Sequence, residues 1–131
     1  MKATTVTIII AGVLIAGFLV ILGLSRGSVP TQTQNANNVS MENGKQVIEI
    51  SAKGGYQLRQ SVAKAGIPTI LRFNTSGTFD CSSSIRIPSM NISKALLQTG
   101  TTDVDIGSPV SGVLQGTCGM GMYRFDVSFQ K

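Results

Sequence analysis

The stretch Cys118-Gly119-Met120-Gly121-Met122 puts one thiol and two thioethers within five residues. Soft sulfur donors of this kind favour Cu(I), and the stretch offers none of the imidazole, carboxylate or amide side chains that suit other metals. In an extended segment alternate side chains point the same way, so Cys118, Met120 and Met122 would share one side. In a tight loop instead, Gly119 and Gly121 lack a Cβ and let the backbone bend closely around an ion. Either geometry gathers the three sulfurs. The only other cysteine in the chain is Cys81, and a Cys81 and Cys118 pair would complete a sulfur site with Met120 and Met122. The competing reading is a disulfide between the same two cysteines, the default for a lone pair in an exported domain. Loop closure would credit that bond with roughly 4 kcal/mol. The Met-x-Met spacing directly after Cys118 favours copper, because a structural disulfide has no need of neighbouring thioethers.

Histidine is absent from the whole chain. A blue-copper electron-transfer centre uses two His beside its Cys and is therefore excluded. The zinc sets of Cys with His, or of four Cys, cannot be assembled either. All-sulfur Cu(I) ligation remains, without the imidazole that helps copper cycle to Cu(II), which suits storage or hand-over. An enzyme is not expected: there is no Cys-x-x-Cys for dithiol exchange and no His for acid–base work. Asp80, Asp103, Asp105 and Asp126 form no evident paired site and read as solvated faces.

With 131 residues the chain holds at most one modest domain plus extras. Few charges, many glycines and no tryptophan favour a β-rich domain with many turns. The formal charge of +5 is scattered from Lys2 to Lys131 with no basic run and few aromatics beside it, so nucleic-acid binding has little support. A weak attraction to anionic lipid headgroups is the more economical reading.

The elements that must position the sulfurs follow. Residues 6–24 are uncharged and almost wholly apolar; as a helix they would reach about 28 Å, enough to cross a bilayer. The run is too long for a usual signal-peptide core, and no small-x-small cleavage site follows cleanly, so a single uncleaved anchor is expected. Lys2 and Arg26 nearly cancel in the positive-inside count; a short basic N-terminus retained in the cytoplasm would put the domain on the outer side of the cell membrane. Residues 25–45 are rich in Thr, Gln, Asn and Ser and read as a flexible tether after the N-terminal tail of residues 1–5 and the span. The globular part is then residues 46–131, with strand-like stretches at the spacing of a small sandwich or barrel. Strands are expected at Gln46 to Ser51, Ile67 to Asn74, Ile85 to Ile87, Thr101 to Ile106 and Val113 to Gln115. The last, through Tyr123, Phe125, Val127 and Phe129, alternates most clearly and anchors the sulfur loop. Ile92, Ala95, Leu96 and Leu97 hint at a helical turn between Asn91 and Gln98.

Gly54-Gly55-Tyr56, then Ala63-Lys64-Ala65-Gly66-Ile67-Pro68, Cys81, Ile87-Pro88-Ser89, Gly100-Thr101 and Cys118-Gly119-Met120-Gly121-Met122-Tyr123 together resemble bacterial cupredoxin-like domains of the EfeO type. The resemblance spans residues 46–131. Within that group the chain looks most like membrane-anchored Cu(I) chaperones and the metal-binding domains attached to copper-exporting P-type ATPases. It implies an all-β, cupredoxin-like Greek-key β-sandwich behind one N-terminal transmembrane helix. It also implies thiolate ligation of Cu(I) by Cys81 and Cys118, with Met120 and Met122 as thioether donors to the same or a second ion, and a copper-transporting ATPase or other copper protein as partner. Leu58 stands where the family commonly has proline, Ser61 where an apolar residue is usual, and Met90 where an aliphatic one is common. Met90 reads as core, with an auxiliary donor role left open. The alternative from a different class is an anchored sandwich that binds no metal and is held by a Cys81–Cys118 disulfide.

Overall fold

The computed structural model describes Gly12, Val13 and residues 38–131. The chain divides into two units, Met1–Thr33 and Gln34–Lys131. In the first, Gly12 and Val13 are helical; the rest of the span expected over residues 6–24 lies outside the described residues, as do residues 25–37 of the expected tether. Among the described residues no helix is long and apolar enough to cross a membrane.

The second unit is a sandwich of two sheets. One runs in the order β1 (Val39–Glu42), β2 (Lys45–Ala52), β5 (Thr69–Thr75), β8 (Gly100–Asp105), with the short β3 (Tyr56–Gln57) paired to β2. The other runs β4 (Gln60–Lys64), β10 (Arg124–Gln130), β9 (Gly112–Thr117), β6 (Ser84–Ile87), β7 (Ile92–Ala95). β2 with β5 and β4 with β10 are parallel pairs, and the remaining pairs are antiparallel.

Period-two patterning explains which faces meet. Leu71 and Phe73 on β5, and Phe125, Val127 and Phe129 on β10, point inward, while Arg72 and Arg124 point out. They pack with Ile48, Ile50, Ile85 and Ile87 into one core. Tyr56, Phe73 and Phe125 meet edge to face, with ring centroids 5.0, 5.5 and 6.1 Å apart, the arrangement that aromatic quadrupoles prefer. Phe125 lies across from Gly116 on β9, where any Cβ would run into the ring.

The ordered sheet starts earlier than the composition suggests. Val39–Glu42 forms a hairpin with β2 through Asn43 (φ +49°) and Gly44 (φ +78°), and Asn-Gly is the dipeptide that tolerates two successive positive φ values. Asn38 is buried, donating to the Glu49 carbonyl (2.9 Å) and to Ser61 Oγ (2.8 Å). That bond accounts for a serine in place of an apolar residue at 61.

The helical turn expected between Asn91 and Gln98 is instead β7, paired with β6. Pro88–Met90 forms a short 3-10 turn that Asn91 ends in the left-handed conformation (φ +54°). Ile92 then pairs with Ile87. Ile92 and Leu96 are four apart, a spacing that fits a helix face and a strand face equally.

At the end where β2 begins, Gln46 ties the sheets together. Its side chain donates to Thr69 Oγ1 (3.0 Å) and the Lys64 carbonyl (3.0 Å), and accepts from the Lys64 amide (2.9 Å).

Candidate functional site

Three connections converge at the opposite end of the sandwich: the β2–β3 turn, the crossing from β5 to β6, and the β9–β10 loop. Cys81 lies on the crossing and Cys118 directly follows β9. The two cysteines are joined as a disulfide, with Cα atoms 5.6 Å apart. Cys118 is fully buried and belongs to the core, whereas Cys81 is half-buried at its margin.

The crossing is held by Asp80. Its carboxylate accepts from the Ser82 amide (2.8 Å), the Ser82 hydroxyl and the Gly54 amide (2.6 Å), which starts the 3-10 turn Cys81–Ser83 and links it to the β2–β3 turn. The Ser82 hydroxyl, foremost, and then the Ser82 and Gly54 amides and the Lys53 charge, hold the Asp80 carboxyl below its ordinary range against the opposing effect of burial. Thr78, also buried, donates to the Ala52 carbonyl (2.5 Å). Tyr56 donates its hydroxyl to the Ser84 carbonyl (2.7 Å); burial, and secondarily Asp80, pushes that hydroxyl far above the usual tyrosine range.

The sulfur loop is a tight turn. The Gly121 amide donates to the Cys118 carbonyl (3.0 Å), and the Cys118 amide to the Tyr123 carbonyl (3.0 Å). Gly119 donates to Ser84 Oγ (3.1 Å) so closely that a Cβ there would lie 2.7 Å from that oxygen. Each sulfur receives one backbone N–H from the loop: Met120 to Cys81 Sγ and Tyr123 to Cys118 Sγ, both at 3.4 Å.

The turn therefore brings the Met120 backbone onto Cys81 while its side chain is 77% exposed; that of Met122 is 67% exposed. Phe79, two residues before Cys81, is 76% exposed. Met90 lies elsewhere, on the turn after β6 at the other end of the sandwich, beside Pro109, Val113 and Phe129. Among the described residues no three of His, Cys, Asp and Glu converge as a metal-binding group, so beyond the cysteines the nearby soft donors are the thioethers. Sequence reasoning passed over Ser84 and Phe79, and it read Asp80 as a solvated face where the carboxylate in fact caps the turn that carries Cys81. The Asp-x-Ser spacing of Asp80 and Ser82 is a readable side-chain cap; nothing in the sequence singles out Ser84 or Phe79.

No family model matches the chain, and no curated protein matches it. Solved structures do. One is the metal-binding domain of the Cu(I)-exporting P-type ATPase CopA of Streptococcus pneumoniae, crystallised with Cu(I). It aligns with a TM-score of 0.64 at 24% identity, covering 71% of this chain and 93% of that domain. Another is a copper-binding protein solved by NMR in its apo form, with a TM-score of 0.64 at 24% identity over 70% of this chain and 94% of that one. Auracyanin A, a blue copper protein of Chloroflexus aurantiacus, aligns with a TM-score of 0.50 at 13% identity over 66% of this chain and all of the other. At these identities the likeness establishes the fold: the described unit is a cupredoxin-like β-sandwich.

Proposed function

We propose that this chain is a membrane-anchored copper-binding protein that holds Cu(I) through Cys81, Cys118, Met120 and Met122 once the disulfide is reduced. It would sequester the ion or deliver it to a copper-transporting P-type ATPase or another copper protein. The observation that carries the reading is the turn at residues 118–123. It holds both cysteine sulfurs at bonding separation, supplies an amide N–H to each, and presents two exposed thioethers from the same five residues. Amide donors lower the cost of thiolate charge, and a thiolate and thioether set suits Cu(I) above other biological metals. Two thiolates give the tightly held state; exchange of a thioether for a partner's thiolate starts the transfer. The copper proteins that share the fold are consistent with this role, which is binding and hand-over rather than catalysis. Residues 6–24 supply the anchor, and the domain faces the outer side of the cell membrane.

A Cu(I) competition titration against a chromophoric chelator, anaerobic and with reductant, tests the reading. Tight binding by the wild type that is lost in the Cys81→Ser, Cys118→Ser variant supports it; equal, weak binding by both refutes it. Weaker binding or slower transfer in Met120→Leu, Met122→Leu is the expected mark of thioether ligation.

The bond between Cys81 and Cys118 favours a second reading, in which the disulfide is permanent and the sandwich is an anchored binding module without metal. Equal, weak copper binding under reductant is its expected result.

A further inference from the structure

The two ends of the disulfide face different surroundings. Cys118 is fully buried, packed among the core residues and pinned to Tyr123 by two hydrogen bonds, its own amide to the Tyr123 carbonyl and the Tyr123 amide to its sulfur. Cys81 is half-buried on a three-residue turn whose neighbours Phe79 and Asp80 are exposed. Exchange requires a thiolate to approach one sulfur along the bond, and access decides which sulfur that is. Reaching Cys118 would require opening the core, whereas Cys81 keeps part of its surface in solvent even with the Met120 amide on its sulfur.

We propose that Cys81 is a modification site for low-molecular-weight thiols of the glutathione class, and that attack there opens the sulfur site while Cys118 is retained as the buried leaving thiolate. In the first step the thiolate lone pair of the small thiol forms a new S–S bond to Cys81 Sγ, and the electron pair of the old bond leaves on Cys118 Sγ. In the second, another small thiolate attacks the outer sulfur of the mixed disulfide, giving the small-molecule disulfide and the Cys81 thiolate. Two small thiols are oxidised and one protein disulfide is reduced. The consequence for copper, that a small thiol is the key to loading, rests on the function proposed above. The site of attack does not.

The experiment treats full-length oxidised protein, free of copper, with excess reduced glutathione. Short time points are quenched in acid, free thiols are blocked with N-ethylmaleimide, and adducts are mapped by tandem mass spectrometry. Glutathione on Cys81 with maleimide on Cys118 is expected to exceed the reverse isomer by at least roughly tenfold. A majority on Cys118, an even split, or a bond that survives excess thiol overturns the proposal. The wild type carries this test, so no variant need fold. A chelator competition for Cu(I) before and after glutathione then separates the two ideas. Attack at Cys81 without any gain in copper affinity leaves this proposal standing and removes the copper function; a gain in affinity with glutathione mapped to Cys118 does the reverse.

Discussion

Reducing the Cys81–Cys118 bond is expected to lower folding stability by about 4 kcal/mol, from the loop-closure entropy that a 37-residue separation withholds from the unfolded chain. For a domain of this size that is a large part of a total of about 5–15 kcal/mol. With a urea dependence near 1–1.5 kcal/mol/M, the midpoint should fall by roughly 3 M. The assay is equilibrium urea unfolding of the unit from Gln34 onward, followed by far-ultraviolet circular dichroism because the chain has no tryptophan. The oxidised protein, the reduced protein and the Cys81→Ser, Cys118→Ser variant are compared, and the last two should coincide. If the proposed function holds, Cu(I) added to the reduced form bridges the same two positions and should recover stability, by about 2.7 kcal/mol at a hundredfold excess over Kd. Superposed oxidised and reduced curves would refute the reasoning, for they would mean that the unfolded chain gains no freedom when the bond is broken.

Three further outcomes are expected. Gly119→Ala should cost about 1–2 kcal/mol, because its Cβ meets Ser84 Oγ at 2.7 Å; part of the loss should be relieved by adding Ser84→Ala, and a double-mutant cycle in urea without coupling would contradict the contact. Gly116→Ala, beneath the Phe125 ring, should cost about 1–3 kcal/mol and lower the thermal midpoint, with partial rescue by Phe125→Leu. The carboxyls of Asp80, Asp103 and Asp105 are depressed from their ordinary value of 3.8, chiefly by the Ser82 hydroxyl, by Arg72 and by the Gly107 amide respectively. The unfolded chain therefore binds more protons in acid, so their stabilisation is present above about pH 4 and is lost as pH falls through the lower folded values. Asp103→Asn should flatten this acid limb in urea midpoints measured across pH, and an unchanged slope would count against the Arg72 pairing.

Much of this architecture was legible because inward aromatic and branched residues alternate strictly. Phe125, Val127 and Phe129, like Leu71 and Phe73, state both the strand and its buried face. β4 escaped for the opposite reason: its inward residues are the small Ser61 and Ala63, and its apolar Val62 faces solvent, so the pattern is weak and inverted. β1 escaped because Val39–Glu42 has the polar composition of a tether, although Asn43-Gly44 was a readable hairpin signal. β7 was misread because Ile92 and Leu96 satisfy two periods at once. At the site, residue types singled out the four sulfurs, and the structure brings the two cysteines together with Met120 and Met122 on the same turn. Of their supports the Asp80 cap was readable from its spacing to Ser82, whereas Ser84 was not, since a serine at that position meets Gly119 only through the register of β6 and β9.

Gln46 fastens one end of the sandwich. Two of its three hydrogen bonds, both to Lys64, cross from one sheet to the other, while the third, to Thr69, stays within its own sheet. The disulfide joins the crossing just before β6 to the end of β9, neighbouring strands of one sheet, and at that end the two sheets are tied by the Tyr56 hydroxyl on the Ser84 carbonyl. The sandwich is thus a book fastened at both ends, and reduction loosens one page, at the β6–β9 edge, rather than parting the covers.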